Sequence, residues 1–231
     1  LGYQFHVDLL VDKQGVIGGG AVYEFYASSV CGLLSYIVLL DEWKGKGYAG
    51  VLMKRVEETL NQNAEKQTEG KESAVRALFL ETHLPPPDYL YPEGIPDGVE
   101  AGHETIETWK KRMGFFARYS FDVVDAPYLQ PPLGQGQDPA FDLLLLARVK
   151  RGEKGVGSKV LDDFLVEFSE SCGNEGCDVE DYDELLRIVR EKEVVRLVGP
   201  KEYVGEIEKK NLPCWFETLR KMKLGYEKRN K

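Results

Sequence analysis

No apolar run in this sequence approaches the roughly 20 residues that a membrane helix requires; one of the longest spans only residues 143–147. A membrane partner is therefore not expected. Basic residues are the minority charge, 30 Lys and Arg against 39 Asp and Glu for a net charge of -9, which argues against a surface that binds nucleic acid by neutralising phosphates. The same balance permits a cationic substrate, and equally serves a solvated surface that only keeps the chain soluble. Cysteine is sparse as well. Four in 231 residues make no disulfide framework, and the start of the chain lacks the charged, apolar and small-residue series of a secretory signal, so a cytoplasmic location is the expectation. Cys172 and Cys177 flank Gly-Asn-Glu-Gly, but no second pair follows at metal-ligand spacing, and the histidines are His6, His83 and His103; no metal is expected.

What is present is an ordinary globular composition, 42% hydrophobic and 30% charged, in a length that suits one enlarged domain or a domain with a smaller one appended. Phe5, Val7 and Leu9 alternate with polar neighbours, Asp12-Lys13-Gln14-Gly15 reads as a turn, and residues 21–26 are rich in aromatic residues, which predicts an antiparallel meander. Residues 33–40 form a nearly continuous apolar run, as in a strand buried on both faces. Val51, Leu52, Val56 and Leu60 then fall at helical spacing, and the polar stretch 61–73 reads as an exposed loop. Further strands are predicted over 74–80, 115–124 and 141–149, with a helix over 104–113 stopped at Gly114. The fold class is α/β in the mixed α+β sense, a mostly antiparallel central sheet flanked by helices. Beyond residue 152 the pattern turns helical, with apolar faces such as Leu161, Phe164, Leu165 and Phe168, and Tyr182, Leu185, Leu186 and Val189. Residues 1–152 are thus expected as the main domain and 153–231 as a helical C-terminal appendage, covering a sheet edge or forming a homodimer contact.

Chemistry concentrates in Lys44-Gly45-Lys46-Gly47-Tyr48-Ala49-Gly50, which follows the apolar strand and opens the helix. Glycines let the backbone approach a ligand closely, and successive amides at a helix start suit an anionic phosphate. A tight strand-to-helix connection needs the same glycines, and the full dinucleotide fingerprint is missing. Here the sequence resembles the GNAT superfamily, whose acyl-CoA loop reads Arg or Gln, two residues, Gly, one residue, then Gly or Ala. Lys44, Gly47 and Ala49 occupy those positions, Lys44 as a departure that keeps the charge, and Met113-Gly114-Phe115 stands where the family often has Leu-Gly-Phe. The resemblance covers the element order from about residue 3 to 149. It implies a donor, acetyl-CoA, with its pantetheine arm against the backbone of Ile37, Val38 and Leu39 and its pyrophosphate on the amides of Gly45, Lys46, Gly47, Tyr48 and Ala49. It also implies transfer of the acetyl group to an amine by direct attack in a ternary complex. Two departures stand out. Only two residues precede the strand near Tyr3, where the family places a strand and two helices, so the start is expected to be truncated or rebuilt by the C-terminal helices. Lys110 holds the position of the family's thiolate-protonating tyrosine, which leaves Tyr119 and Tyr128 as candidate replacements.

An ammonium must lose a proton before it attacks, so a carboxylate base is sought. Glu81 is the first candidate, at the end of the apolar strand before Pro85-Pro86-Pro87; the plainer reading is a loop cap or an ion pair. His83 offers a base or relay, or is a surface histidine at a loop entrance. Glu24, among Tyr23, Phe25 and Tyr26, binds an amine or faces solvent by alternation. Cys31 has no histidine near it in sequence and reads as a buried strand residue. The loop 84–102, with Asp88, Tyr89, Tyr91, Glu93 and Asp97, reads as a lid over a cationic acceptor or as a surface excursion. The competing function is a non-catalytic acyl-CoA-binding or sensor module.

Overall fold

Alternation builds the first hairpin. In β1 (Tyr3–Val11) and β2 (Ile17–Tyr26) the residues pair antiparallel, and the Asp12 carboxylate closes the turn by accepting the amides of Gln14 and Val16, each at 2.8 Å. The computed structural model describes residues 2–91, 104–134, 137–173 and 180–229. β3 (Cys31–Leu39) continues the meander, and a 3-10 turn (Asp41–Trp43) leads to α1 (Tyr48–Gln67). There follow β4 (Ala77–His83), α2 (Pro87–Leu90), α3 (Ile106–Arg118), β5 (Asp122–Val124) and β6 (Leu143–Val149). The remainder is β7 (Gly155–Gly157), α4 (Ser158–Ser171), α5 (Glu180–Arg190), β8 (Val194–Val198), α6 (Pro200–Glu208) and α7 (Trp215–Arg229). The eight strands form one sheet in the order β1-β2-β3-β4-β6-β5-β8-β7, antiparallel except where β3 meets β4. The mixed α+β class and mostly antiparallel sheet are as expected.

Helices pack on both faces of this sheet. On one face α1 lays Leu52, Met53, Val56 and Leu60 against the strands; it comes so close that a Cβ on Gly32 would stand 2.6 Å from Leu60 Cδ1. On the other face Phe164 of α4 stacks on Phe79 at 4.2 Å between ring centres and meets Tyr26 edge-on. Burial of such aromatic pairs adds to the cohesion that the aliphatic core supplies.

Several boundaries differ from the pattern reading. α1 runs to Gln67, through half of the stretch read as loop, because Asn63 and Ala64 continue its buried stripe with a polar and a small residue; Asn63 Nδ2 lies 2.9 Å from His6 Nε2. Gly114 does not stop α3, which continues to Arg118; nothing crowds the glycine and Phe116 extends the buried face, so the strand read over 115–124 shrinks to β5. The run 33–40 is buried on both faces only up to Leu34, after which burial alternates and Tyr36 and Val38 are exposed. Residues 153–231 carry four helices and also β7 and β8, and β8 pairs with β5. Among the described residues, the large apolar side chains read as the inner faces of α4, α5 and α7 are buried within the chain.

Candidate functional site

A fork in the sheet defines the site. β3 and β4 share three rungs, Gly32↔Leu78, Leu33↔Phe79 and Leu34↔Leu80, and then part. β4 stays paired with β6 through His83, and β3 stays paired with β2 through Leu39. The register on β2 slips at the same place: Val22 faces Tyr36 and Tyr23 faces Leu34, so Ser35 is an extra residue, a bulge that turns the strand. From Ser35 onward the β4-facing edge of β3 has no strand partner among the described residues, including the backbone of Ile37, Val38 and Leu39.

β3 leads straight into the glycine loop. Gly45 and Gly47 take φ of 74° and 84°, where a side chain is strained, and a Cβ at either would have nothing within 4 Å. The glycines therefore serve the backbone shape, and the space outside them is open. Gly47 caps α1, whose first turn has no side-chain cap and no acidic residue. A 20-residue helix thus turns a start without a side-chain cap, and the positive end of its dipole, toward open space, and an anionic phosphate fits that donor set. Lys44 is held by Asp41, Nζ to Oδ1 at 2.6 Å, with both exposed; such a pair contributes little. Tyr48 packs its ring 5.1 Å from that of Trp43, and Ala49 lies in the first turn. The Tyr119 hydroxyl would stand 3.7 Å from a methyl group at Gly50, so one of the two candidate tyrosines reaches the start of α1.

Two carboxylates flank the fork. Glu81 is the first residue of β4 past the last rung with β3. Tyr128 Oη donates to one of its oxygens, and Gln130 Nε2 donates to the other at 2.8 Å. Burial pushes the Glu81 carboxyl up, the two hydrogen bonds oppose this, and the charge of Glu24 adds to the rise. Glu24 accepts from Tyr26 Oη at 2.5 Å and from Ser35 Oγ, the bulge residue, at 2.8 Å. Neither carboxylate has a cationic partner among the described residues. Burial, then the neighbouring Glu24 or Glu81, holds the phenols of Tyr26 and Tyr128 well above their ordinary range, so both remain donors. Cys172 borders the same cluster, its thiol pushed up to about 11 by burial and then by both glutamates.

The structure thus brings Glu24 and Glu81 together and leaves His83 apart. His83 is exposed and lies 3.3 Å from Asp142 through Nδ1, which raises its pKa against partial burial; its carbonyl accepts from Trp109 Nε1 at 3.0 Å. Lys110 is engaged elsewhere, on Glu208 at 2.6 Å. Burial pushes the Cys31 thiol up to about 12, as suits a packed residue rather than a nucleophile. Of the expected lid, Asp88, Tyr89 and Tyr91 are described, whereas Glu93 and Asp97, like His103 and Cys177, lie outside the described residues. Sequence reasoning missed Tyr26, Ser35 and Gln130 as carboxylate partners; the polar Ser35 inside an apolar run was the available signal.

No family model matches this chain, and no curated protein matches it. Solved structures similar to it include nourseothricin acetyltransferase, 13% identical over 63% of this chain and 65% of that one, with a TM-score of 0.37. A GNAT family acetyltransferase from Elizabethkingia anophelis, with acetyl-CoA bound, is 12% identical over 63% of this chain and 76% of that one, TM-score 0.37. An acetyltransferase from Bacillus cereus is 11% identical over 64% and 74%, TM-score 0.33. The chain spans less than two thirds of the length of nourseothricin acetyltransferase. At these TM-scores the functional reading stands on the chain's own residues.

Proposed function

We propose that this chain is an N-acetyltransferase that moves the acetyl group of acetyl-CoA onto the amine of an acceptor by direct attack in a ternary complex. The observation that carries this reading is the fork between β3 and β4, with an uncapped, glycine-opened helix start at the end of one arm and two cation-free carboxylates at its base. The donor supplies an activated thioester and a pyrophosphate. Amides from Gly45 to Ala49 hold the pyrophosphate, and the unpaired edge of β3 at Ile37, Val38 and Leu39 hydrogen-bonds the pantetheine amides as a strand would. That sets the thioester at the fork, beside Glu81.

The acceptor enters as an ammonium, drawn by Glu24 and Glu81. Its proton passes to Glu81, directly or through one water, and the freed lone pair attacks the thioester carbonyl carbon. The new C–N bond forms, the tetrahedral oxyanion collapses, the C–S bond breaks, and the thiolate leaves. Glu81 suits the role because burial and Glu24 raise its proton affinity, and Tyr128 and Gln130 hold its orientation. His83, out with Asp142, is at most a relay to solvent.

The test is a thermal-shift titration with acetyl-CoA on this chain and on Gly47→Glu, followed by thiol release with an amine panel. A rise lost in the variant, with amine-dependent thiol release, is expected; no rise with either protein refutes the proposal. One observation favours a second reading, a non-catalytic acyl-CoA-binding module: both Glu81 oxygens already accept a hydrogen bond. That module would bind acetyl-CoA without releasing thiol for any amine.

A further inference from the structure

On β1 the side chains of Phe5, Val7, Leu9 and Val11 point to one face of the sheet and are 60%, 54%, 57% and 48% exposed. The alternate residues His6 and Asp8 point to the opposite face, where His6 meets Asn63 of α1 and Asp8 accepts from Tyr23 and faces Arg55. Cross-strand register extends the apolar rows: Val7 faces Val22, which faces Tyr36, and Leu9 faces Gly20, which faces Val38. Tyr36 and Val38 are 70% and 61% exposed. The outcome is one continuous open field over β1, β2 and β3, free of charge inside. Glu24, opposite Phe5, marks its border and is occupied by Ser35 and Tyr26. β1 is also an end strand of the sheet.

We infer that this face is where a second copy of the chain packs, sheet against sheet about a two-fold axis. Three arguments select that occupant. The six exposed side chains offer on the order of 700 Å² per copy, above the roughly 300–600 Å² of the largest patch on a typical monomer and close to the ~800 Å² per partner of a standard interface. A two-fold contact sets the same patch against itself, which suits an uncharged apolar field and would punish a charged one. Twisted antiparallel sheets pack face to face about 10 Å apart, with their inner side chains interdigitated. The other half of this sheet face is already covered by α4, through Phe164 on Phe79. This inference is independent of the acetyltransferase reading.

Sedimentation equilibrium of the wild-type chain over a concentration series should give twice 26.1 kDa, falling to the single mass on dilution. Val7→Lys with Leu9→Lys should give the single mass throughout, with an unchanged far-UV spectrum. If that variant does not fold, Leu9→Asn serves instead and should weaken association about a hundredfold, since each copy loses one buried leucine. A wild-type chain of single mass at every concentration overturns the inference, and so does a folded double-lysine variant that stays dimeric. A monomer that co-sediments with neutral phosphatidylcholine vesicles also overturns it, and assigns the face to lipid.

Discussion

Replacing Glu167 by Gln tests how the C-terminal helices are tied to the sheet. The Glu167 carboxylate, buried on α4, accepts the Ser28 amide at 3.0 Å on one oxygen, and the Ser29 amide at 3.0 Å and the Ser29 hydroxyl at 2.9 Å on the other. All three donors belong to the turn between β2 and β3, which ends on Val30 at φ 56°. A β-branched residue in that region is a true outlier whose cost, on the order of 1–3 kcal/mol, persists only where the surroundings enforce it. In Glu167→Gln the side chain keeps one oxygen, which can still serve the Ser29 pair, and turns an N–H toward the Ser28 N–H. One charge-assisted hydrogen bond is lost at about 1.5–3 kcal/mol, and the remaining two become neutral and weaker. The expected loss is ~2–3 kcal/mol in urea or thermal unfolding, or roughly 5–10 °C in Tm for a chain of this size. A change within about 0.5 kcal/mol, the range of an ordinary surface substitution, would refute the reasoning and show that the turn holds its own shape.

Glu81→Gln should lower amine-dependent thiol release by about 10²–10⁴-fold while the acetyl-CoA thermal shift is retained; unaltered turnover removes Glu81 from the mechanism. The Glu81 carboxyl is raised by burial and Glu24, so the acid limb of the rate profile should lie above the ordinary carboxylate range and vanish in that variant. The sign for stability runs the same way: Glu81 holds its proton more tightly folded than unfolded, so the folded state loses stability as pH rises from the ordinary carboxylate pKa through the raised one. Lys110→Ala should leave turnover close to wild type in a steady-state assay, because its ammonium serves Glu208. Gly47→Ala should cost about 1–2 kcal/mol in unfolding, the penalty of placing a Cβ at a left-handed φ, with the donor's apparent affinity reduced in parallel.

β1 by its alternation, β2 by its aromatic residues and the glycine loop were legible because each is dictated by local chemistry. Glu81 and Glu24 were legible as carboxylates among apolar neighbours, but their proximity was not, since it depends on which rungs β3 and β4 share and on the bulge at Ser35. His83 looked close to Glu81 in sequence, yet Asp142, a residue distant in the chain, holds it at the surface. The extension of α1 was hidden because Asn63 and Ala64 are buried without being large or apolar. β8 escaped notice, and β5 was read too long, over 115–124, for another reason. Strands of three and five residues carry too little pattern to be seen alone, and only mutual pairing makes them strands.

That pairing bears on how the chain is made. β5 is flanked by β6 on one side and by β8 on the other, and β8 is Val194–Val198. During synthesis the open edge of β5 waits through some seventy residues of further chain before its neighbour emerges, a span in which an unpaired edge is a template for wrong partners. A premature stop ahead of Val194 would therefore release a polypeptide with its whole proposed site translated and its sheet still unsealed.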